Sequence, residues 1–186
     1  MTPIGSLWLP ILLSAVIVFL LSNVLHMVLP YHRSDYKKVP KEDDVMAAMR
    51  PFDIPAGDYM MPGPDSMAAM RDPAFLERRR KGPVAVMTVM PGGPMSMGSN
   101  LAQWFVYSIV VSFFSAYVGS RALAPGADYL AVFRFVGSTA FLSYAMALPQ
   151  FSIWYRRSWS TTLKSMFDGL LYGLFTAGTF GWLWPR

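Results

Sequence analysis

The sequence predicts an all-α membrane protein, with four transmembrane helices and a mostly irregular cytoplasmic insertion between the first and second. Three observations carry that expectation. Four apolar stretches each reach the ~20 residues that a helix needs to cross a hydrocarbon core about 30 Å thick. Only 15% of the 186 residues are charged, against roughly 25% in an ordinary soluble domain. Three of the four stretches carry small residues at every fourth position, Thr139, Ser143 and Ala147 in the third among them, the spacing that lets membrane helices approach backbone to backbone.

The first stretch, residues 4–29, is too long for the apolar core of a signal peptide and has no small-residue cleavage site after it, so it is expected to remain as an anchor. Pro10 falls in its first turns, where a missing N–H is tolerated. Ser22, Asn23 and His26 form a polar cluster near its far end.

Residues 31–100 make the one sizeable extramembrane stretch. It opens basic with Arg33, Lys37, Lys38 and Lys41, and a short helix is expected near residues 42–50, where Glu42, Asp43 and Asp44 suit a helix N-terminus. Arg50-Pro51 ends it. PFDIPAGDYMMPGP is turn-rich and is expected to be irregular. A helical piece is expected at residue 65 or 66. Another begins at Asp72-Pro73, with Asp72 as cap, Pro73 at the first position and Gly82 as stop. PVAVMTVM, residues 83–90, is β-branched and apolar and reads as a short strand or a membrane-surface segment, broken by the PGGP that follows. So much Pro and Gly leaves only a small core, so this region is expected to fold against the helices or against a partner.

The second span, residues 101–120, has Ser108, Ser112, Ala116 and Ser120 four apart. A short link with Pro125-Gly126 makes the next helix an antiparallel neighbour. The third span, residues 129–148, carries Arg134 near its start, expected to snorkel to headgroups or meet Asp128. Residues 149–164 mix Trp154, Tyr155 and Trp159 with Arg156 and Arg157, which is interface chemistry. Ser160 or Thr161 is expected to cap the last helix. The fourth span, residues 165–184, carries Gly169, Gly173, Ala177 and Gly181 as a ridge, with Asp168, Tyr172 and Thr176 beside it. A carboxylate at the edge of a span must find water or a partner.

Charge sets the orientation. Residues 31–100 and 149–164 hold thirteen of the sixteen Lys and Arg, and cations concentrate on the cytoplasmic side. Both termini are therefore expected on the non-cytoplasmic side of a bacterial inner membrane. Trp8, Trp182 and Trp184 would mark one interface, and Trp104, Trp154 and Trp159 the other. The net charge of +5 fits an anionic membrane surface, and no groove-reading or base-stacking motif points to nucleic acid.

The absence of cysteine excludes disulfides, thiolate metal sites and cysteine nucleophiles. With two histidines, His26 and His32, no metal site is expected, and no cofactor. Gly92-Gly93 is flanked by prolines and followed by no Lys-Ser or Lys-Thr, so it is not a phosphate loop, and no hydrolase or metalloprotease motif occurs. No catalytic residue is expected. The methionine pairs Met46/Met49, Met67/Met70, Met87/Met90 and Met95/Met97 offer thioethers suited to Cu(I). They lack accompanying His or Cys and read better as adaptable packing or partner-binding residues.

The topology brings one polar group to a common depth. His26 and Asn23 end the first span, Tyr107 and Ser108 begin the second, Ser143 and Tyr144 come late in the third, and Asp168 and Tyr172 come early in the fourth. A histidine near a carboxylate is the usual equipment for proton transfer or cation coordination. The plainer reading leaves Asp168 at its helix N-terminus, stabilised by the dipole and interfacial water.

YHRSDYKKVP (residues 31–40), KGPVAVMTVMPGGP (residues 81–94) and FDGLLYGLFTAGTFGWLWP (residues 167–185) resemble small bacterial four-span inner-membrane proteins with no assigned activity. The resemblance covers most of the chain and transfers no catalytic residue. The sequence thus favours an accessory or scaffold protein in the lipid bilayer, whose seams at Gly169, Gly173, Ala177, Gly181, Ser108, Ser112 and Ala116 bind a membrane protein partner or a second copy. The alternative is a small oligomeric transporter using His26, Asn23, Tyr144, Asp168 and Tyr172 as a proton or cation site.

Overall fold

A computed structural model describes residues 1–94 and 96–186; Met95, one of the paired methionines, lies outside the described residues. The chain is mostly helical, 69% of it, and divides into two compact units: Met1–Lys37 with Ser96–Arg186, and Lys38–Met95.

The first unit is built from four long helical segments. A 3-10 turn, Ile4–Leu7, runs into α1, Trp8–Asn23, which continues through a wide π turn, Val24–Val28. Pro10 sits in the first turn of α1, where its missing N–H would have had no helical partner. α4 is Met97–Ala122 and α5 is Tyr129–Ala145. A one-turn break leads to α6, Pro149–Tyr155, and then α7, Trp159–Leu183. α1 packs on α4 and α7, and α5 packs on α4 and α7, so the four long helices close into a ring.

Three segments, Ile4–Val28, Met97–Ala122 and Tyr129–Tyr155, are long and apolar enough to cross a membrane. α7 matches them in length at 25 residues, but Lys164, Asp168 and its glycines and threonines dilute its hydropathy. What the ring buries and what it exposes agree with a lipid surround. Ser14, Ser108, Ser112, Ser115, Thr162 and Thr176 are fully buried, while Trp8, Leu20, Val106, Phe114, Leu142, Leu163 and Phe167 lie exposed. In water such an apolar surface would drive association; in a bilayer, small and hydroxylated residues belong between the helices.

The ends are tied. Thr2 donates its N–H to the carbonyls of Ser120 and Leu123 and its hydroxyl to that of Leu123, satisfying acceptors that α4 leaves free at its C-terminus. The Gly126 N–H donates to the Pro185 carbonyl and Trp184 Nε1 to that of Ala124. Trp184 is thus buried against Gly119. Asp128 caps α5, its Oδ2 accepting from the N–H groups of Leu130 and Ala131 at 2.9 and 3.3 Å. Among the described residues Arg134 forms no ion pair with it. α7 begins two or three residues earlier than Ser160 and Thr161 suggested, after Ser158.

The second unit is more regular than its composition implied. α2, Glu42–Met49, opens with Glu42, Asp43 and Asp44. α3, Pro73–Lys81, starts on Asp72, whose Oδ1 accepts from the Ala74 N–H at 2.8 Å, and stops at Gly82, where φ is +65°. β2, Ala85–Val89, falls within the apolar run and pairs antiparallel with β1, Gly57–Met61, in the register Gly57 to Val89. β1 corrects the expectation that PFDIPAGDYMMPGP is irregular. The strand pairs with the β-branched, apolar run of β2, and the Thr88 hydroxyl donates across the pair to Asp58 at 2.6 Å.

Candidate functional site

The site forms where the chain leaves α1. After the π turn, Leu29 is extended and Pro30 starts a 3-10 turn, Pro30–Ser34, because an X-Pro step turns the chain away from helix. That turn lies against the polar stripe of α7, where Lys164, Asp168, Tyr172 and Thr176 recur every fourth residue and share a face. Lys164 Nζ donates to the Tyr31 carbonyl at 2.6 Å, to Ser34 Oγ at 2.8 Å and to Asp35 Oδ1 at 2.9 Å. One turn further along, Asp168 takes the other side: its Oδ1 accepts from the Tyr31 hydroxyl, and its Oδ2 lies 2.8 Å from His32 Nε2.

His32 is held between two carboxylates. Its Nδ1 faces Asp35 Oδ2 at 2.6 Å while its Nε2 faces Asp168. A neutral imidazole has a single N–H. Two such contacts therefore require a doubly protonated ring or a proton on one carboxylate. Burial pushes the Asp35 carboxyl upward, but hydrogen bonds from His32 and Lys164 outweigh it and hold the group below the usual carboxylate range. Burial, and then the hydroxyl's bond to the Asp168 carboxylate, push the Tyr31 phenol upward.

The His26 ring stacks on His32 with centroids 4.2 Å apart and planes 22° from parallel. Its Nε2 comes to 3.7 Å from Asp168 Oδ2. One donor atom from each of His26, His32 and Asp168 thus lies within 4.8 Å of the others. Asp168 is 2% exposed, whereas the His26 side chain is half exposed.

A cavity of about 260 Å³ opens beside the cluster, lined by His26, Trp104, Tyr107, Tyr144, Asp168 and Tyr172 among others. The Tyr144 and Tyr172 hydroxyls are buried with no hydrogen-bond partner among the described residues, as is Thr176 Oγ1. Buried hydroxyls ordinarily find partners, so these two phenols beside one cavity hold hydrogen-bonding capacity that the described residues do not use.

Of the residues singled out from sequence, His26, Tyr144, Asp168 and Tyr172 meet on this cavity. Asn23 does not. Its Nδ2 donates to the Phe19 carbonyl at 2.8 Å and it lines a neighbouring cavity of about 220 Å³ with Ser22, His26 and Trp104. Ser108 and Ser143 donate to carbonyls of their own helices. Tyr31, His32, Asp35 and Lys164 escaped the sequence reading, which left them in a basic loop and at a helix start. The legible signals were the Pro30 turn, the three-residue step from His32 to Asp35, and the four-residue step from Lys164 to Asp168.

The small-residue seams are used inside the chain. A Cβ on Gly169 would stand 2.9 Å from Ala145 Cβ, one on Gly137 would stand 2.7 Å from Ala177 Cβ, and one on Gly173 would meet the backbone of Phe141 at 3.2 Å. Gly181 lies under the Tyr129 ring. Ser112 shares a 3.0 Å hydrogen bond with Ser14 of α1, and Ser108 and Ala116 are fully buried. α5 and α1 cover these faces.

No family model matches the chain, and neither the curated proteins nor the solved structures contain a match to it.

Proposed function

We propose that the chain is a four-span protein of a bacterial inner membrane that handles a cation at the cluster of His26, His32 and Asp168, as a small oligomeric transporter. The observation that carries this reading is the buried Asp168 carboxylate with two imidazoles around it, at the edge of a cavity bearing two unpartnered tyrosine hydroxyls. A buried charge is costly unless compensated, and ionisable groups at the edge of a span mark ion or substrate pathways. Four helices are few for a monomeric carrier, so the pathway would be completed by a second copy.

α7 completes the four spans in this reading. It packs along α1 and α5, and a helix that closes a ring with two apolar spans has no other place to expose Leu163, Phe167 and Leu174. With thirteen of the sixteen Lys and Arg in residues 31–100 and 149–164, those segments are cytoplasmic and both termini lie on the opposite side.

Reconstituted vesicles test the function. Asp168→Asn abolishes cation flux while the protein still assembles; flux equal to that of the unaltered chain would reject transport.

A second reading, an accessory subunit, has one supporting observation. In the second unit Met46, Met49, Met60, Met61, Met67, Met70 and Met90 are exposed, and methionine suits adaptable partner surfaces. Its other motive, the small-residue seams, is weakened because α1 and α5 already occupy them. Purification in mild detergent with neither a co-purifying protein nor self-association counts against it.

A further inference from the structure

We propose that His26 Nε2, His32 Nε2 and Asp168 Oδ2 are the three protein ligands of a divalent transition metal of the zinc class, with a fourth position open to the tyrosine-lined cavity. This inference rests on the cation reading above and names the cation. It departs from the expectation, drawn from two histidines and no cysteine, that the chain holds no metal.

Distance is the first argument. Ligand bonds of about 2.1 Å in a tetrahedral site put donor atoms roughly 3.3–3.5 Å apart. Asp168 Oδ2 lies 2.8 Å from His32 Nε2 and 3.7 Å from His26 Nε2, on either side of that spacing. The adjustment falls on His26, whose ring must rotate out of its stack on His32 so that both Nε2 lone pairs converge on the ion; it is half exposed and sits on the π turn, the least constrained of the three. A metal would take the place of the direct contact between His32 Nε2 and Asp168 Oδ2.

The surroundings of the ligands are the second argument. Metal-bound histidines commonly give their other nitrogen to a carboxylate, which fixes the tautomer and raises ligand basicity. His32 Nδ1 does this with Asp35 at 2.6 Å, and Lys164 anchors Asp35 from the far side at 2.9 Å. The Tyr31 hydroxyl occupies Asp168 Oδ1 and leaves Oδ2 for the ion. Every group needed to orient His32 and Asp168 is already in place.

The donor set selects the ion. Two imidazoles and one carboxylate suit zinc and its neighbours, whereas calcium and magnesium prefer all-oxygen sites and Cu(I) prefers sulfur. Three protein ligands leave a position for water or cargo. Tyr144 and Tyr172 are 8% and 3% exposed, carry unpartnered hydroxyls, and line the cavity that His26 and Asp168 also line. Both hydroxyls keep unused hydrogen-bonding capacity beside the cavity through which an oxygen ligand would reach the metal.

The full chain, purified in detergent and stripped with a chelator, tests this. Titration with zinc should give one ion per chain, and cobalt should give the visible absorption of a four-coordinate site. Asp35→Asn should weaken binding by about 10–100-fold with the stoichiometry kept, the usual cost of losing an outer-shell partner. His26→Gln and Asp168→Asn should weaken it further, and His26→Gln, at a half-exposed position, should leave thermal stability close to that of the unaltered chain. Absence of zinc binding in the unaltered chain, or binding untouched by His26→Gln and Asp168→Asn, overturns the metal site. If metal fails to bind while Asp168→Asn still abolishes flux of protons or alkali cations, the metal site falls and the cation reading stands. If flux is also indifferent to Asp168, both fall.

Discussion

At the scale of single residues, Asp168 is closely constrained, because α7 carries its carboxyl into a position 2% exposed where it can be kept only by donors. Tyr31 and His32 supply them from a turn that Lys164 pins one helical turn away. Tyr31→Phe removes a donor and leaves Asp168 Oδ1 unpaired. The expected cost is ~1–3 kcal/mol, the usual penalty for stranding a buried acceptor, read as a lowered unfolding midpoint in detergent. A midpoint unchanged by the substitution would mean that water reaches Oδ1 and that the turn is not held by the carboxylate. Trp104 shows the same economy on an uncharged group: its Nε1 donates to Ser22 Oγ at 2.8 Å, and its ring borders Tyr107, Tyr144 and Tyr172. The indole is engaged in the bundle in addition to any interfacial role.

At the scale of elements, α5 and α7 meet through glycines, and what opposes each glycine decides its tolerance. At Gly137 an added methyl meets Ala177 Cβ at 2.7 Å, and at Gly169 it meets Ala145 Cβ at 2.9 Å. Both opposing atoms are fixed to backbone, so the helices must part. At Gly181 the obstacle is the Tyr129 ring at 2.6 Å, and Tyr129 is 45% exposed and free to swing. Gly137→Ala and Gly169→Ala should therefore each cost about 1–3 kcal/mol by overpacking, and Gly181→Ala clearly less. Thermal denaturation of the three variants checks the order; an equal or reversed ranking would show that α5 and α7 are not in register as described. In the second unit, α3 owes its limits to Asp72 and Gly82, and β1 exists because β2 is there to pair with it.

At the scale of the whole molecule, orientation in the bilayer is the largest open consequence of the cation reading. The absence of cysteine makes it measurable. Single substitutions Tyr36→Cys, Arg157→Cys, Arg121→Cys and Arg186→Cys should divide into two pairs with a membrane-impermeant thiol reagent, the first two labelled from the cytoplasmic side and the last two from the other. Labelling of positions 157 and 186 from one side would show that α7 does not cross. Flux through vesicles and its loss in Asp168→Asn belong to the same scale, since transport requires the cavity to connect with both faces.

The sequence by itself determined the helical class, the apolar stretches and the local stops, because these follow from composition, periodicity and the chemistry of single residues such as Asp72, Pro10 and Gly82. It also grouped His26, Tyr144, Asp168 and Tyr172, which line one cavity, since position along a helix is counted in residues. What only the tertiary structure decided is which faces meet. Rotation of each helix about its axis is not written in its hydropathy, so the cover of α5 over the glycines of α7 was invisible. So was the fold-back that carries His32 and Asp35 from an apparent loop onto Asp168 and Lys164, because contacts between residues 129 or more apart depend on how the whole ring closes.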